Sequence, residues 1–353
     1  MLNHAVLGVL LVLLAGCGKY SRQGLDKARA GQIEQAISRT GTGLSREQED
    51  RILALDPLQV SDQDVRVILS NAPAPRIVSI HGGNSTVVLR MISFADFLMG
   101  MGYPGQSLTN SGDGTYTFSC YESSKMIAGT TAWFYEKEAL RPMLVGHSQG
   151  GIQVVKVLYF FAGKTPLHVW NPLTWKQEKR RTIRDPLTGK TRPVTGLILP
   201  YATAVGAGGL TRLLPNQWDM TFTLRTIPNS VEEFTGFCKE NDLLGGDWLG
   251  YGSANEFKSG GTAVVRNVWL PTDYAHGAIP DTRHLLESAE MRQWINAYVP
   301  SNAPVVELTL AESFEGDSRH ILWAADVWYS IKKHWVLELQ RLIRAQREPG
   351  HGN

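Results

Sequence analysis

Ser148 sits in the run Gly146-His147-Ser148-Gln149-Gly150, a serine with glycine two places to either side. Residues 142–145 before it form a short apolar run, and residues 152–161 after it carry Ile, Val and Leu at helical spacing. Strand, sharp turn and helix in that order lift a serine hydroxyl to the end of a strand with a helix N-terminus behind it. The glycines have a steric reason, because side chains two positions from such a turn collide with strand or helix. A serine hydroxyl is a weak nucleophile until a neighbouring base takes its proton, and the base works best when a carboxylate holds its tautomer. The spacing therefore predicts nucleophilic chemistry at Ser148 and asks the rest of the chain for a histidine and an acid.

With this elbow in its strand–turn–helix setting, the chain resembles the α/β-hydrolase superfamily, and within it the lipase- and esterase-like members with a Gly-His-Ser-Gln-Gly elbow. The resemblance spans residues 72–300. It implies the chain order Ser, then Asp or Glu, then His. Of the nine histidines, His276, His284, His320, His334 and His351 lie after the elbow and outside its flanking motifs. His276 stands in Thr272-Asp273-Tyr274-Ala275-His276-Gly277, just beyond an apolar run at 263–270, where the family carries its base. His284 falls in the helix that follows and reads as a surface position. Asp242 comes shortly after the run 233–238 and 34 residues before His276, which matches the family's strand–turn–acid pattern. Asp247 is its rival, Glu240 reads as strand end, and Asp273 is too near His276 in the chain to reach Nδ1 well. His81-Gly82-Gly83-Asn84 follows the first main strand, where the family builds its oxyanion hole. The implied donors are the backbone N–H groups of Gly83 and Gln149, with His81 in a structural role and Asn84 where the commoner motif has a further glycine. This machinery implies no metal and no cofactor.

These residues need elements to hold them. Runs at 76–80, 115–121, 142–145, 194–199, 233–238 and 263–270 read as strands, and segments at 85–101, 127–140 and 152–161 as helices. That alternation predicts an α/β fold, the α/β-hydrolase fold by resemblance, with a mostly parallel sheet and helices on both faces. Residues 166–193 interrupt it with seven Lys or Arg against Glu178 and Asp185, and read as an inserted, lid-like hairpin with a solvated basic face. Trp170 and Trp175 within it fit an acyl pocket or core packing equally. Ser45 with Gln48 forms a capping-box pattern, and Ser61 opens a second short helix before the break at Asn71-Ala72-Pro73-Ala74-Pro75. Residues 17–71 therefore read as tether and short helices, and 301–353 as a C-terminal strand and amphipathic helix. Trp328, Ile331, Trp335, Leu339 and Leu342 give that helix one apolar stripe, which packs on the main domain or lies on a membrane.

The first sixteen residues are an address. An apolar run without Lys, Arg, Asp or Glu ends in Leu14-Ala15-Gly16-Cys17, which resembles the lipobox of bacterial lipoproteins. The resemblance implies a signal peptide over 1–16, acylation of Cys17, and a place in the bacterial cell envelope anchored to a membrane. Cys120 and Cys238 fall on strands about four places apart, near 19 Å, and are expected free and buried. The formal charge of +2, from 35 Lys+Arg against 33 Asp+Glu, excludes a nucleic-acid partner. The expectation is a lipid-anchored serine hydrolase acting on a small-molecule ester or lipid. A non-catalytic envelope binding protein on the same scaffold, an amidase or peptidase, and an acyltransferase are the alternatives.

Overall fold

The computed structural model describes residues 24–39, 41–110, 112–301 and 314–348, with residues 210 and 249 described by backbone only. The expected signal peptide, Cys17 and the expected strand after residue 301 lie outside the described residues. Among those described, the α-helices are α1 Lys27–Ile37, α2 Arg46–Leu53, α3 Asp62–Val67, α4 Ser85–Gly100, α5 Ser124–Glu138, α6 Gln149–Phe161, α7 Ala289–Ala297 and α8 Ile321–Arg347. Six strands make one sheet: β1 Ile77–His81, β2 Phe118–Ser119, β3 Met143–His147, β4 Leu199–Val205, β5 Val231–Lys239 and β6 Val264–Leu270. Their order is β6-β5-β4-β3-β1-β2, and every neighbouring pair is parallel. Parallel neighbours need long crossovers, and α4, α5 and α6 lie in the chain between the early strands. The α/β class, the parallel sheet and the helix layers are as the sequence predicts.

Period-two alternation divides the sheet's side chains between two cores. Ile77, Met143 and Val145 pack with α4 and α8, whereas Val78, Ile80 and Leu144 pack with α5 and α6. Both faces are thus covered, which is why β1 and β3 are buried throughout and read as continuous apolar runs. Ser45 with Gln48 and Ser61 with Asp64 form reciprocal capping boxes that start α2 and α3. The segment expected as a tether or loose helix holds α1, capped by Asp26 and packed through Ala30, Ile33 and Ile37.

Several expectations are corrected. The strand after the insert is 199–205, not 194–199. Gly196 at φ +87° turns the chain first, and Pro200, which argues against a central strand, precedes the pairing with β3 that begins at Ala202. Only Phe118 and Ser119 of the run 115–121 pair with β1. The insert is two short hairpins, Trp170–Asn171 with Lys176–Gln177 and Thr182–Arg184 with Thr191–Pro193. They dock on α5: Arg180 pairs with Glu136 at 2.6 Å, and Tyr135 donates to Asp185.

Of the two places open to α8, the structure shows the first: its apolar stripe packs on the main domain, and much of its polar surface is buried with it. Trp323, Trp328 and Trp335 are fully buried. Glu338 accepts from the Arg141 guanidinium and its backbone N–H, and Asp326 takes a bidentate grip from Arg266 at 2.6 Å. Lys332, off the apolar stripe, donates to the carbonyls of Val60 and Asn296 at 2.7 and 3.0 Å. Burial lowers its pKa to about 8. Cys120 and Cys238 are free and buried, on or beside strands four places apart. No described helix is long and apolar enough to cross a membrane.

Candidate active site

The chain leaves β3 at His147 and enters α6 at Gln149, with Ser148 alone at the corner. Its φ of 56° and ψ of −124° lie where a residue with a Cβ is strained, typically by about 1–3 kcal/mol. The flanking glycines are sterically required. A Cβ at Gly146 would lie 2.5 Å from the Gly150 carbonyl oxygen, and one at Gly150 would run into the Ile80 carbonyl. The Ser148 N–H donates to the Val205 carbonyl at 2.8 Å, which ties the corner to the end of β4.

The sheet brings the other two residues to the same edge. Asp242 follows the end of β5 and His276 follows the end of β6, and parallel strands finish together. His276 Nδ1 lies 2.7 Å from Asp242 Oδ2, and His276 Nε2 lies 2.9 Å from Ser148 Oγ. With Nδ1–H donating to the carboxylate, Nε2 carries the lone pair and accepts the Ser148 hydroxyl proton. The other Asp242 oxygen accepts from the N–H groups of Leu244 and Gly245 at 3.1 and 2.8 Å. Burial alone would raise this carboxyl. The hydrogen bond and charge of His276, with those two N–H groups, outweigh it and hold Asp242 below its ordinary value. Asp242 is thus a fixed, ionised orienter.

The rivals are engaged elsewhere. Asp247 is ion-paired with Arg212 and, at 2.9 Å, with Arg225. Asp273 is exposed, Glu240 accepts from the Gly252 N–H, and His284 faces the Arg319 carbonyl at 3.1 Å.

The loop after β1 covers the corner. A Cβ on Gly82 would stand 2.8 Å from the Ser148 Cβ, and one on Gly83 would strike the Gln149 side-chain amide. Gln149 is the first residue of α6, whose leading N–H groups have no acceptor within the helix. Gly83 and Gln149, the expected oxyanion donors, therefore stand together beside Ser148. Asn84, the departure from an all-glycine loop, accepts from the Thr86 N–H at 3.0 Å and caps α4. His81 Nδ1 lies 2.7 Å from the Gly82 carbonyl oxygen, the structural role expected of it.

Three residues escaped the sequence reading. His147 Nε2–H donates to the His276 carbonyl at 2.7 Å and so holds the backbone of the base. Burial, aided by the neighbouring His276, lowers the His147 pKa to about 3, so its ring is neutral. In the sequence it is only the variable position of the elbow motif. Gly206, at φ +58°, lies under the acid–base contact, and a Cβ there would stand 2.9 Å from His276 Cε1 and 3.3 Å from Asp242 Oδ2. Nothing local marks it, since the strand it terminates had been placed too early. Tyr121 donates from its hydroxyl to the Gly83 carbonyl at 3.4 Å and braces the loop over the corner.

Among the described residues no group of three or more His, Cys, Asp or Glu side chains is placed to hold a metal ion. Family models, curated proteins and solved structures were compared with the chain, and none matches it.

Proposed function

We propose that this protein is a serine hydrolase of the α/β-hydrolase fold that cleaves carboxylic esters through an acyl-enzyme on Ser148. The observation that carries this reading is the continuous contact Asp242–His276–Ser148, at 2.7 and 2.9 Å, ending on a serine held in a strained corner. As Ser148 Oγ attacks the ester carbonyl carbon, its proton passes to His276 Nε2, and Asp242 stabilises the imidazolium. The negative oxygen of the tetrahedral intermediate faces the N–H groups of Gly83 and Gln149, each such donor contributing about 3–4 kcal/mol in comparable sites. The C–O bond then breaks and His276 returns the proton to the leaving alcohol. Water attacks the acyl group by the same route, giving its proton to His276 and then to Ser148 Oγ. The residues described supply every proton transfer, with no metal or cofactor invoked.

Lipid anchoring in a bacterial envelope belongs to the same reading and rests on the Cys17 segment alone. A Cys17→Ser protein should leave the membrane fraction, and one that stays there overturns the anchor.

A fluorophosphonate probe tests the nucleophile. Wild type is expected to take one adduct and Ser148→Ala none. An unlabelled wild type would favour a binding protein on this scaffold. Turnover of p-nitrophenyl butyrate well above the matching anilide separates an esterase from an amidase, and acyl transfer to added alcohol in preference to water would identify an acyltransferase.

A further inference from the structure

Between the start of α5 and the first hairpin of the insert lies a cavity of about 800 Å³, lined by Trp170, Trp175, Lys125, Arg181, Glu122 and Gln177 among others. Its size is that of a ligand site, and its wall mixes two indoles with charged and amide groups. Trp175 has an unusual backbone. Asn171 shapes the hairpin loop by accepting from the Leu173 and Thr174 N–H groups, and the chain then places Trp175 at φ +56°. That is a position where glycine or asparagine sits without strain, and a bulky residue there is an outlier of the kind that clusters at ligand clamps. Its ring lies nearly parallel to Phe118, at 15° and 6.3 Å between centroids, so the indole is fixed against strand β2.

The cations of the cavity differ from others in the same insert. Arg180 is paired with Glu136 and Glu178, and Arg192 with Asp185. Lys125 and Arg181 have no carboxylate partner among the described residues, and the Arg181 Nε–H donates to His168 Nε2 at 3.1 Å. Glu122 is the one carboxylate on the wall. An acyl chain would want an apolar lining throughout, which this is not. A sugar ring offers C–H faces to indoles and hydroxyls to Glu122 and Gln177, and a carboxylate on it would meet Lys125 and Arg181.

We infer that this cavity binds an acidic saccharide, held by the Trp175 ring and by Lys125 and Arg181. Ser148, Asp242 and His276 are not among the residues lining it, so the inference stands whether or not Ser148 is a nucleophile.

Calorimetric titration of the full Ser148→Ala chain with trigalacturonate tests it, with maltotriose and decanoate as the neutral and acyl comparisons. Saturable binding of trigalacturonate, at least tenfold tighter than maltotriose, is expected. Trp175→Ala should weaken it tenfold or more, and Trp175→Tyr should restore it to within about threefold of the parent. Lys125→Ala with Arg181→Ala, both exposed positions, should abolish the preference for the acid while leaving maltotriose unchanged. No saturable heat with trigalacturonate, parental binding in Trp175→Ala, or decanoate binding at this site with Trp175 dependence would each overturn the inference.

Discussion

Helix α8 and the proposed catalytic edge are both rich in aromatic and charged residues, and they use them in opposite ways. In α8 the three indoles are fully buried, and Asp326, Lys332 and Glu338 are buried with partners from β6, the segment before α3, and the turn before β3. Beside Asp242, at the ends of β4 and β5, Trp218, Phe222 and Trp248 are 63%, 96% and 82% exposed. Those two loops are joined through Asp247, which pairs with Arg212 and Arg225, while Met220 and Leu224 of the first loop reach down into the core. Helix α8 thus buries its large aromatic and charged side chains in the scaffold, whereas the loops beside the proposed catalytic edge leave three large aromatics exposed. Substitutions should separate along the same line, with α8 variants losing the fold and edge variants losing turnover alone.

The strongest attempt to break that division is Ser148→Ala. Ester turnover measured as kcat/KM should fall about 10⁴-fold, equivalent to about 5.5 kcal/mol of transition-state stabilisation. The melting temperature should move by no more than about 2 °C, since one hydroxyl leaves and the fold keeps its contacts. A collapse in melting temperature would mean that the edge carries stability after all. Next in size is Glu338→Ala. It leaves the Arg141 guanidinium buried beside Glu232 alone, which is about half exposed, and should cost about 3–5 kcal/mol in urea unfolding. Trp335→Ala should cost a similar amount, about 3–5 kcal/mol, through the cavity it leaves and the lost bond from Nε1 to the Pro73 carbonyl. Either variant, where it folds, should keep kcat near wild type.

Acid should act on a buried titratable group in each region, His147 beside the proposed base and Glu233 against α8. His147 is buried neutral with its pKa lowered to about 3, whereas an unfolded histidine titrates near 6.5. Between those values the unfolded chain binds a proton that the folded chain refuses, so stability falls as pH drops from 6.5 toward 3. Glu233, lowered to about 2 by its hydrogen bonds and charge contacts with His334 and Lys333 despite burial, acts in the same direction below about pH 4.5. His147→Gln keeps a donor for the His276 carbonyl and removes the titration. Its unfolding free energy in urea should therefore fall less between pH 6.5 and 4, by at most about 3 kcal/mol relative to wild type. Parallel curves for the two proteins would remove His147 as the acid-sensitive group.

Much of the site was legible because its signals are local. Gly146, Ser148 and Gly150 are close in sequence, and their steric demand is written in three letters. Asp242 and His276 were legible only through chain order, since 94 and 128 residues separate them from Ser148. What stayed hidden depends on distant partners. Nothing near Glu338 in the sequence marks it as buried, because its partner Arg141 stands 197 residues away. Strand β4 is hard to place because Pro200 and a run of small residues conceal a central strand whose pairing with β3 begins only after the proline. Gly206 was lost with it.

The smallest effect is the sharpest discriminator. Trp248 is 82% exposed at the edge, and Trp335 is fully buried in α8, so the same substitution can be made in both regions. Replacing a buried indole removes both apolar burial and packing, at about 3–5 kcal/mol, while an exposed surface change stays within about 0.5 kcal/mol. Trp248→Ala should therefore leave the urea midpoint unchanged within error. If it does, any change it makes in the chain-length profile of p-nitrophenyl esters reports on contact with substrate at the edge and not on folding. If it costs more than about 1 kcal/mol, the loop is part of the scaffold, and the division between a stabilising helix and a chemically committed edge is drawn in the wrong place.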